Sequence, residues 1–484
     1  MSTMVTPVEK AADGASAPGP MQSILQEQRA AFARAGAPSL AARRADLKRL
    51  SEAVAGNVDP LAAAISADFG NRSRYETELA EVFPVVASIR HARRHLAGWM
   101  RPKRVSVGLE LLPAGARILY QPVGVVGVIS PWNYPFHLAI MPLIAALAAG
   151  NRVMLKPSEL TPRTGEFLAS FLKELFPSEQ VATILGGPEV GAAFARLPFD
   201  HLFYTGSTAV GRLVMQAAAE NLTPVTLELG GKSPCILGED AGLPAAVESI
   251  VYGKLLNAGQ TCIAPDYVML PRRHLDAFVG LAVQTVRKFY PTLAQNPDYT
   301  SLVNERHYRR VAQYVAEAKA AGVRVTEINP AGETLAADAR KLAPTLLIDP
   351  DESLAVMREE IFGPVLPIKT YDALDEAIAY VNRHPRPLAL YYFGADASKR
   401  DEVLRRTISG GASINTTLFH IAVENLPFGG VGASGIGAYH GEFGFATFSH
   451  RKGVFVQSRL NAARFLQPPF NRLTDMMLRF LLRR

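Results

Sequence analysis

The sequence predicts an α/β protein with two parallel-sheet domains, the first Rossmann-like, and a small separate β element. Strand and helix patterns alternate from Val123 to Tyr204 and again after Val225, which is the signature of parallel sheets covered on both faces. A hairpin pattern around Pro113-Ala114-Gly115 lies outside either series. At 484 residues the chain also exceeds what a single core normally holds.

The elements follow in order. Residues 1–20 are rich in Ala, Gly, Ser and Pro without an apolar core segment, so they read as a disordered tail rather than a signal peptide. From Met21 to Met100 apolar residues recur at three and four, as in Leu25 to Phe32 and Leu47 to Val54, giving a helical lead-in. Val105 to Leu112 and Arg117 to Gln121 form the expected hairpin, about residues 101–121. Strands at Val123 to Ile129, Arg152 to Lys156, Val181 to Leu185 and His201 to Tyr204, with the helices between them, make the first domain, residues 21–228. The second series starts at Val225 to Glu228, continues through Cys235 to Leu237 and Tyr267 to Leu270, and makes a domain of residues 229–408. The Gly-rich stretch Ser409 to Gly444 lies in a return segment, residues 409–455, expected to pair with the hairpin. In the tail, residues 456–484, Leu473, Met476, Met477, Phe480 and Leu481 share one helical face, with Arg472, Asp475, Arg479 and Arg483 largely opposite. That face suits docking on the protein's own body or a partner subunit, or peripheral contact with an anionic membrane.

Composition excludes several classes. The net charge is +7, but Lys and Arg are dispersed among Asp and Glu, so no single-signed face for nucleic acid is formed. Two cysteines, Cys235 and Cys262, make no disulfide framework, which fits a reducing cytoplasm. No apolar run is long enough to span a membrane, and no metal site is expected.

Several short motifs carry chemistry. Asn257-Ala258-Gly259-Gln260-Thr261-Cys262 follows a helix bearing Tyr252 and Leu256, and its small residues can expose a thiol and its N–H. Cys235, inside a strand, reads as a small hydrophobe. Glu228 ends an apolar strand before Gly230-Gly231, where burial would raise its pKa and suit it to general-base work, although a lone strand-end Glu also serves as a cap or ion-pair partner. Asn133, in Pro131-Trp132-Asn133-Tyr134-Pro135, follows the first parallel strand, where its amide can donate to an oxyanion or simply form a turn. Gly206-Ser207-Thr208-Ala209-Val210-Gly211 opens a helix after a strand, as a pyrophosphate site would, but it matches neither the Rossmann fingerprint nor a P-loop. Lys156-Pro157-Ser158-Glu159 ends the second strand, where a dinucleotide fold places an acid on the adenosine ribose; a first-turn helix carboxylate is equally ordinary.

In this order, and with Glu360-Ile361-Phe362-Gly363-Pro364 added, these motifs resemble the aldehyde dehydrogenase superfamily over about residues 21–455. Leu426 to Gly432 and Ser434 to Gly441 look like its class 3 branch. The resemblance implies a dinucleotide-binding domain, a catalytic domain and a small β element for bridging and oligomerisation, with the chain working as a cytoplasmic homodimer. It implies Cys262 as nucleophile, Glu228 as general base, and Asn133 with the Cys262 N–H as oxyanion hole. NAD, with NADP as the alternative, would be held by Trp132, Lys156, Glu159, Gly206, Ser207, Gly211, Glu360 and Phe362. Glu159 would favour NAD. The expected reaction is oxidation of an aldehyde to the acid through a thioester. A base at Glu228 weighs against relatives that pass the acyl group to coenzyme A, and the retained trio weighs against a non-catalytic scaffold.

Tyr134, Tyr252, Leu256, Ile263 and Phe419 are expected to line an apolar tunnel for aromatic or medium-chain aldehydes. With Asp68-Phe69-Gly70-Asn71-Arg72-Ser73, that tunnel looks similar to a bacterial branch acting on coniferyl aldehyde.

Overall fold

Ser39 starts the second helix, Leu40–Gly56, by accepting from the Ala42 N–H at 3.2 Å, and Leu47, Leu50 and Val54 bury one stripe of it. The computed structural model describes residues 19–460, 464 and 467–482; residues 1–18 of the expected N-terminal tail lie outside them. Helices Pro20–Ala35, Val58–Phe69 and Phe83–Trp99 complete the lead-in. Between the last two, the short helix Arg74–Thr77 runs into a wider π turn, Glu78–Val82, that turns Glu76 and Glu81 into the interior.

The first sheet has six strands in the order Gly435–Ile436, Val225–Glu228, His201–Thr205, Val125–Ile129, Arg152–Lys156, Val181–Thr183, parallel except for the first. Val225–Glu228 therefore closes this sheet beside His201–Thr205 and does not begin the second series. The second sheet starts at Pro234–Leu237 and has seven strands, ending in Gly411–Ile414 on one side and the antiparallel Arg324–Glu327 on the other. Between the strands, helix His137–Ala149 is apolar all round and buried on nearly every residue.

The third sheet is antiparallel: Lys103–Val105, Gly115–Pro122 and Ser449–Val456. The hairpin is shorter on its first arm than expected, because Pro113 supplies no N–H for a ladder and residues Leu109–Leu111 curl into a 3-10 turn. Its third strand lies just beyond the Gly-rich stretch, which instead supplies one edge strand to each of the large sheets. In the tail, Asn471 caps an amphipathic helix, Arg472–Leu481, through the N–H groups of Leu473 and Thr474. On its apolar face Met476 and Phe480 are exposed in the single chain, while Met477 is half-buried. No helix among the described residues is long and apolar enough to cross a membrane.

Ile129, Lys156 and Glu228 are the last residues of three parallel strands, so the loops that follow them gather at one edge of the first sheet, facing the second. Ligand sites of open α/β sheets form at such an edge.

Candidate active site

The helix Leu243–Leu255 is followed by three consecutive left-handed residues: Asn257 at φ 54°, Ala258 at φ 51° and Gly259 at φ 78°. Two of them carry a side chain, a cost on the order of 1–3 kcal/mol each that the surroundings must offset. They do so with hydrogen bonds. The Asn257 N–H donates to Glu76 Oε1 at 3.0 Å, and Gln260 Nε2 donates to the Asn257 and Ser301 carbonyls at 3.0 and 3.1 Å. Val303 N–H donates to Gln260 Oε1 at 2.9 Å. Gly259 has no substitute, since a Cβ there would run into the Gly363 carbonyl. The result is a rigid turn that presents Cys262, whereas Cys235 is sealed inside its strand.

Asn133 is buried and donates from Nδ2 to the Gln260 carbonyl at 3.1 Å, which ties its amide to the Cys262 turn. Its own carbonyl accepts from Asn257 Nδ2 and from Arg72 Nη1, both at 2.9 Å. Arg72 is fully buried in an ion pair with Glu81 at 3.1 Å, and Glu81 accepts in turn from the Phe136 and His137 N–H groups. Both ends of the Asn133 loop are thus fixed by charge-assisted bonds from the helical lead-in. Sequence reading missed Arg72, Glu76, Glu81 and Gln260 as parts of the site. The motif Asp68 to Ser73 held the one signal, an Arg between small polar residues.

Burial dominates the electrostatics. It pushes the Cys262 thiol up to about 12, with Glu360 and Glu228 adding to the shift, so the resting group is a thiol. Burial also raises the Glu228 carboxyl well above its ordinary range, and neither of its oxygens has a partner. Glu360 is pushed up to about 8 by burial and then by Asp266, and its Oε1 is likewise unpartnered. Gly230 leaves the space that this carboxylate fills. Unpartnered buried carboxylates are costly, and at a cavity they mark where a ligand or water is bound.

Two cavities meet at Cys262. One, of about 570 Å³, is lined by Trp132, Asn133, Gly206, Ser207, Glu228, Glu360 and Phe362, together with His307 and Arg310, which sequence reading did not single out. Ser207 caps the helix Thr208–Ala219, accepting from the Val210 N–H at 3.4 Å, so free helix N–H groups face this space. Gly211 does not face it: the residue packs beneath the helix on Leu229. Lys156 and Glu159 pair with each other at 2.9 Å at the end of their strand and lie outside the lining. A turn with open amides, flanked by the unpartnered Oε1 of Glu360, fits the pyrophosphate and ribose of a dinucleotide.

The other cavity, of about 220 Å³, is lined by all five expected tunnel residues, Tyr134, Tyr252, Leu256, Ile263 and Phe419, and by Met141 and Phe83. Tyr134 OH is within 2.6 Å of Thr261 Oγ1, beside the thiol, and Phe419 stands exposed. No group of three His, Cys, Asp or Glu among the described residues could hold a metal.

Residues 11–454 match the model of the aldehyde dehydrogenase family. The chain is 51% identical to a probable coniferyl aldehyde dehydrogenase of Caulobacter vibrioides, over 93% of this chain and 94% of the relative. It is 50% identical to a coniferyl aldehyde dehydrogenase of a Pseudomonas species, over 90% of each. The substrate-bound structure of Staphylococcus aureus AldH superposes with a TM-score of 0.91 at 39% identity, covering 96% of this chain and 100% of that one.

Proposed function

The chain belongs to the aldehyde dehydrogenase family and oxidises aldehydes to carboxylic acids with NAD(P), and we propose that its preferred aldehyde is coniferyl aldehyde or a close 4-hydroxyaryl relative. The observation that carries this reading is an apolar, aromatic-lined tunnel that ends on a thiol. The coniferyl aldehyde dehydrogenases at about half identity support it.

In this reading Cys262 is the nucleophile. Its proton passes to Glu228, the unpartnered base, and Sγ bonds to the aldehyde carbon. Asn133 Nδ2 and the Cys262 N–H donate to the oxygen as it becomes negative, and the Gln260 and Arg72 bonds keep that amide from turning away. When bound, the dinucleotide supplies the hydride acceptor. Loss of hydride leaves an acyl thioester on Cys262. Glu228, having released the thiol's proton to solvent, then takes a proton from water; the hydroxide adds to the acyl carbon, and the C–S bond breaks to release the acid, with Cys262 taking back a proton from Glu228. Trp132, Phe362 and Glu360 hold the nicotinamide end, and Gly206 and Ser207 the pyrophosphate. Lys156 and Glu159 receive the adenosine ribose, where the Glu159 carboxylate accepts from a hydroxyl and repels a phosphate, favouring NAD over NADP. The outer edge of Ser449–Val456, unpaired in the single chain, is our candidate for the homodimer contact.

The test is an assay for aldehyde-dependent NADH formation on coniferyl, benzyl and aliphatic aldehydes, with and without coenzyme A. We expect the highest kcat/KM on coniferyl aldehyde and no requirement for coenzyme A. A coenzyme A requirement would overturn the hydrolytic reading, and a preference for aliphatic aldehydes would overturn the substrate.

A further inference from the structure

The tunnel wall carries one carboxylate that the chemistry above leaves unused. Glu424 lines the same cavity as Cys262, and no Lys or Arg shares that lining. The segment Leu418 to Glu424 runs along the wall. It begins near Tyr391, whose hydroxyl donates to the carbonyl of Ile263, the residue after the thiol, at 2.6 Å. It ends where Glu424 Oε2 accepts from Ser88 Oγ at 3.2 Å, on the helix that supplies Phe83, Pro84 and Ala87 to the wall. The Gly441 N–H also donates to this carboxylate.

Tyr134 OH is held by Thr261 beside the thiol, the unpartnered Nε2 of His137 is closed off from solvent, and the Tyr252 hydroxyl, with no hydrogen bond among the described residues, is not anchored. Glu424 alone offers an anchored acceptor with lone pairs to spare. Burial holds its carboxyl at about 7, and no cation in the lining compensates it. A tunnel for purely apolar aldehydes gains nothing from such a group, since burying a carboxylate in apolar surroundings is costly.

We propose that Glu424 is a specificity-determining residue: its carboxylate accepts a hydrogen bond from the ring hydroxyl of a 4-hydroxyaryl aldehyde whose carbonyl lies at Cys262. This rests on the substrate reading above and adds to it the group that recognises the phenol. A site built around a hydroxyl donor rejects the methylated analogue, which leaves the remaining lone pairs of this half-buried carboxylate without a donor.

The test compares kcat/KM for coniferyl aldehyde with that for 3,4-dimethoxycinnamaldehyde in the wild type, Glu424→Gln and Glu424→Leu. The ratio within one variant cancels any general damage to the enzyme. A hydrogen bond to a charged group corresponds to about tenfold or more, so the wild-type ratio should fall by about that factor in Glu424→Leu and by less in Glu424→Gln. If the leucine variant does not fold, the glutamine variant, which retains an acceptor for Ser88, decides by the same ratio. Equal ratios in the wild type and the variants would overturn the proposal. Failure of the wild type to oxidise coniferyl aldehyde is a separate result, and it would overturn the substrate reading itself and this proposal with it.

Discussion

The two cavities that share Cys262 are made of different material. The larger combines backbone, in a glycine turn and the N-terminus of the helix Thr208–Ala219, with carboxylates at strand ends and loops and the rings of Trp132 and Phe362. The smaller is built from side chains of four separate segments, around Leu79 to Ala87, Tyr134 to Met141, Tyr252 to Ile263 and Leu418 to Glu424. Backbone chemistry binds what every reaction cycle needs, while side-chain volume and a single carboxylate choose the substrate. The first can be kept while the second is rebuilt.

Cys262→Ala removes the atom common to both, so it should give the largest effect. Oxidation should fall below detection while NAD titration by fluorescence still gives a Kd within about twofold of wild type, because none of the dinucleotide contacts assigned above uses Sγ. Loss of NAD binding would show that the cavities are not separable. Asn133→Ala acts at the seam. It should lower kcat by about 10² to 10³, with a smaller change in KM, as expected for a donor to developing charge. An equal loss in aldehyde binding would make Asn133 part of the tunnel wall instead.

The smallest effect is on stability. Glu228, Glu360, Glu81 and Glu424 all have carboxyls raised by burial, the last three to about 8, 7 and 7. Through that range the folded state binds more protons than the unfolded one, so stability falls as pH rises. Buried histidines act in the opposite sense: His137, His307 and His420, lowered by burial to about 4, add stability as pH rises to their unfolded value near 6.5 and nothing above it. Between pH 6.5 and 8 the carboxyls dominate, opposed toward the top of that window by Lys254, which burial lowers to about 8. Thermal unfolding over that window should show a falling Tm, and the unfolding free energy should fall less steeply in Glu228→Gln, by about 1 kcal/mol per pH unit. An unchanged slope would mean that Glu228 titrates normally.

The same contrast explains what the sequence made legible. Strand-to-helix turns are local, so Gly206, Ser207 and Glu228 could be singled out from a few neighbours each, whereas Glu360 entered only through the family resemblance. The tunnel residues near the reacting end, Tyr134, Tyr252 and Leu256, adjoin motifs and were found with them. Leu79, Phe83 and Glu424 come from a lead-in helix and a return loop with no pattern beyond amphipathicity, so nothing marked them. Arg72 and Glu81 are the harder case. Charged residues in a helical region normally face water, and only the π turn at Glu78–Val82 brings Glu81 inward to meet Arg72. The boundary between the sheets was blurred for a related reason. Val225–Glu228 is buried like any parallel strand, and only its pairing shows which sheet it completes.

The central claim is that one turnover divides into acylation at Cys262 and hydrolysis driven by Glu228. Glu228→Gln keeps the shape and removes the carboxylate, so turnover should fall by about 10² to 10⁴. Mass spectrometry of this variant, quenched after mixing with NAD and coniferyl aldehyde, tests the division directly. The account predicts one acyl adduct on Cys262 per active site; wild-type turnover with no adduct would contradict it.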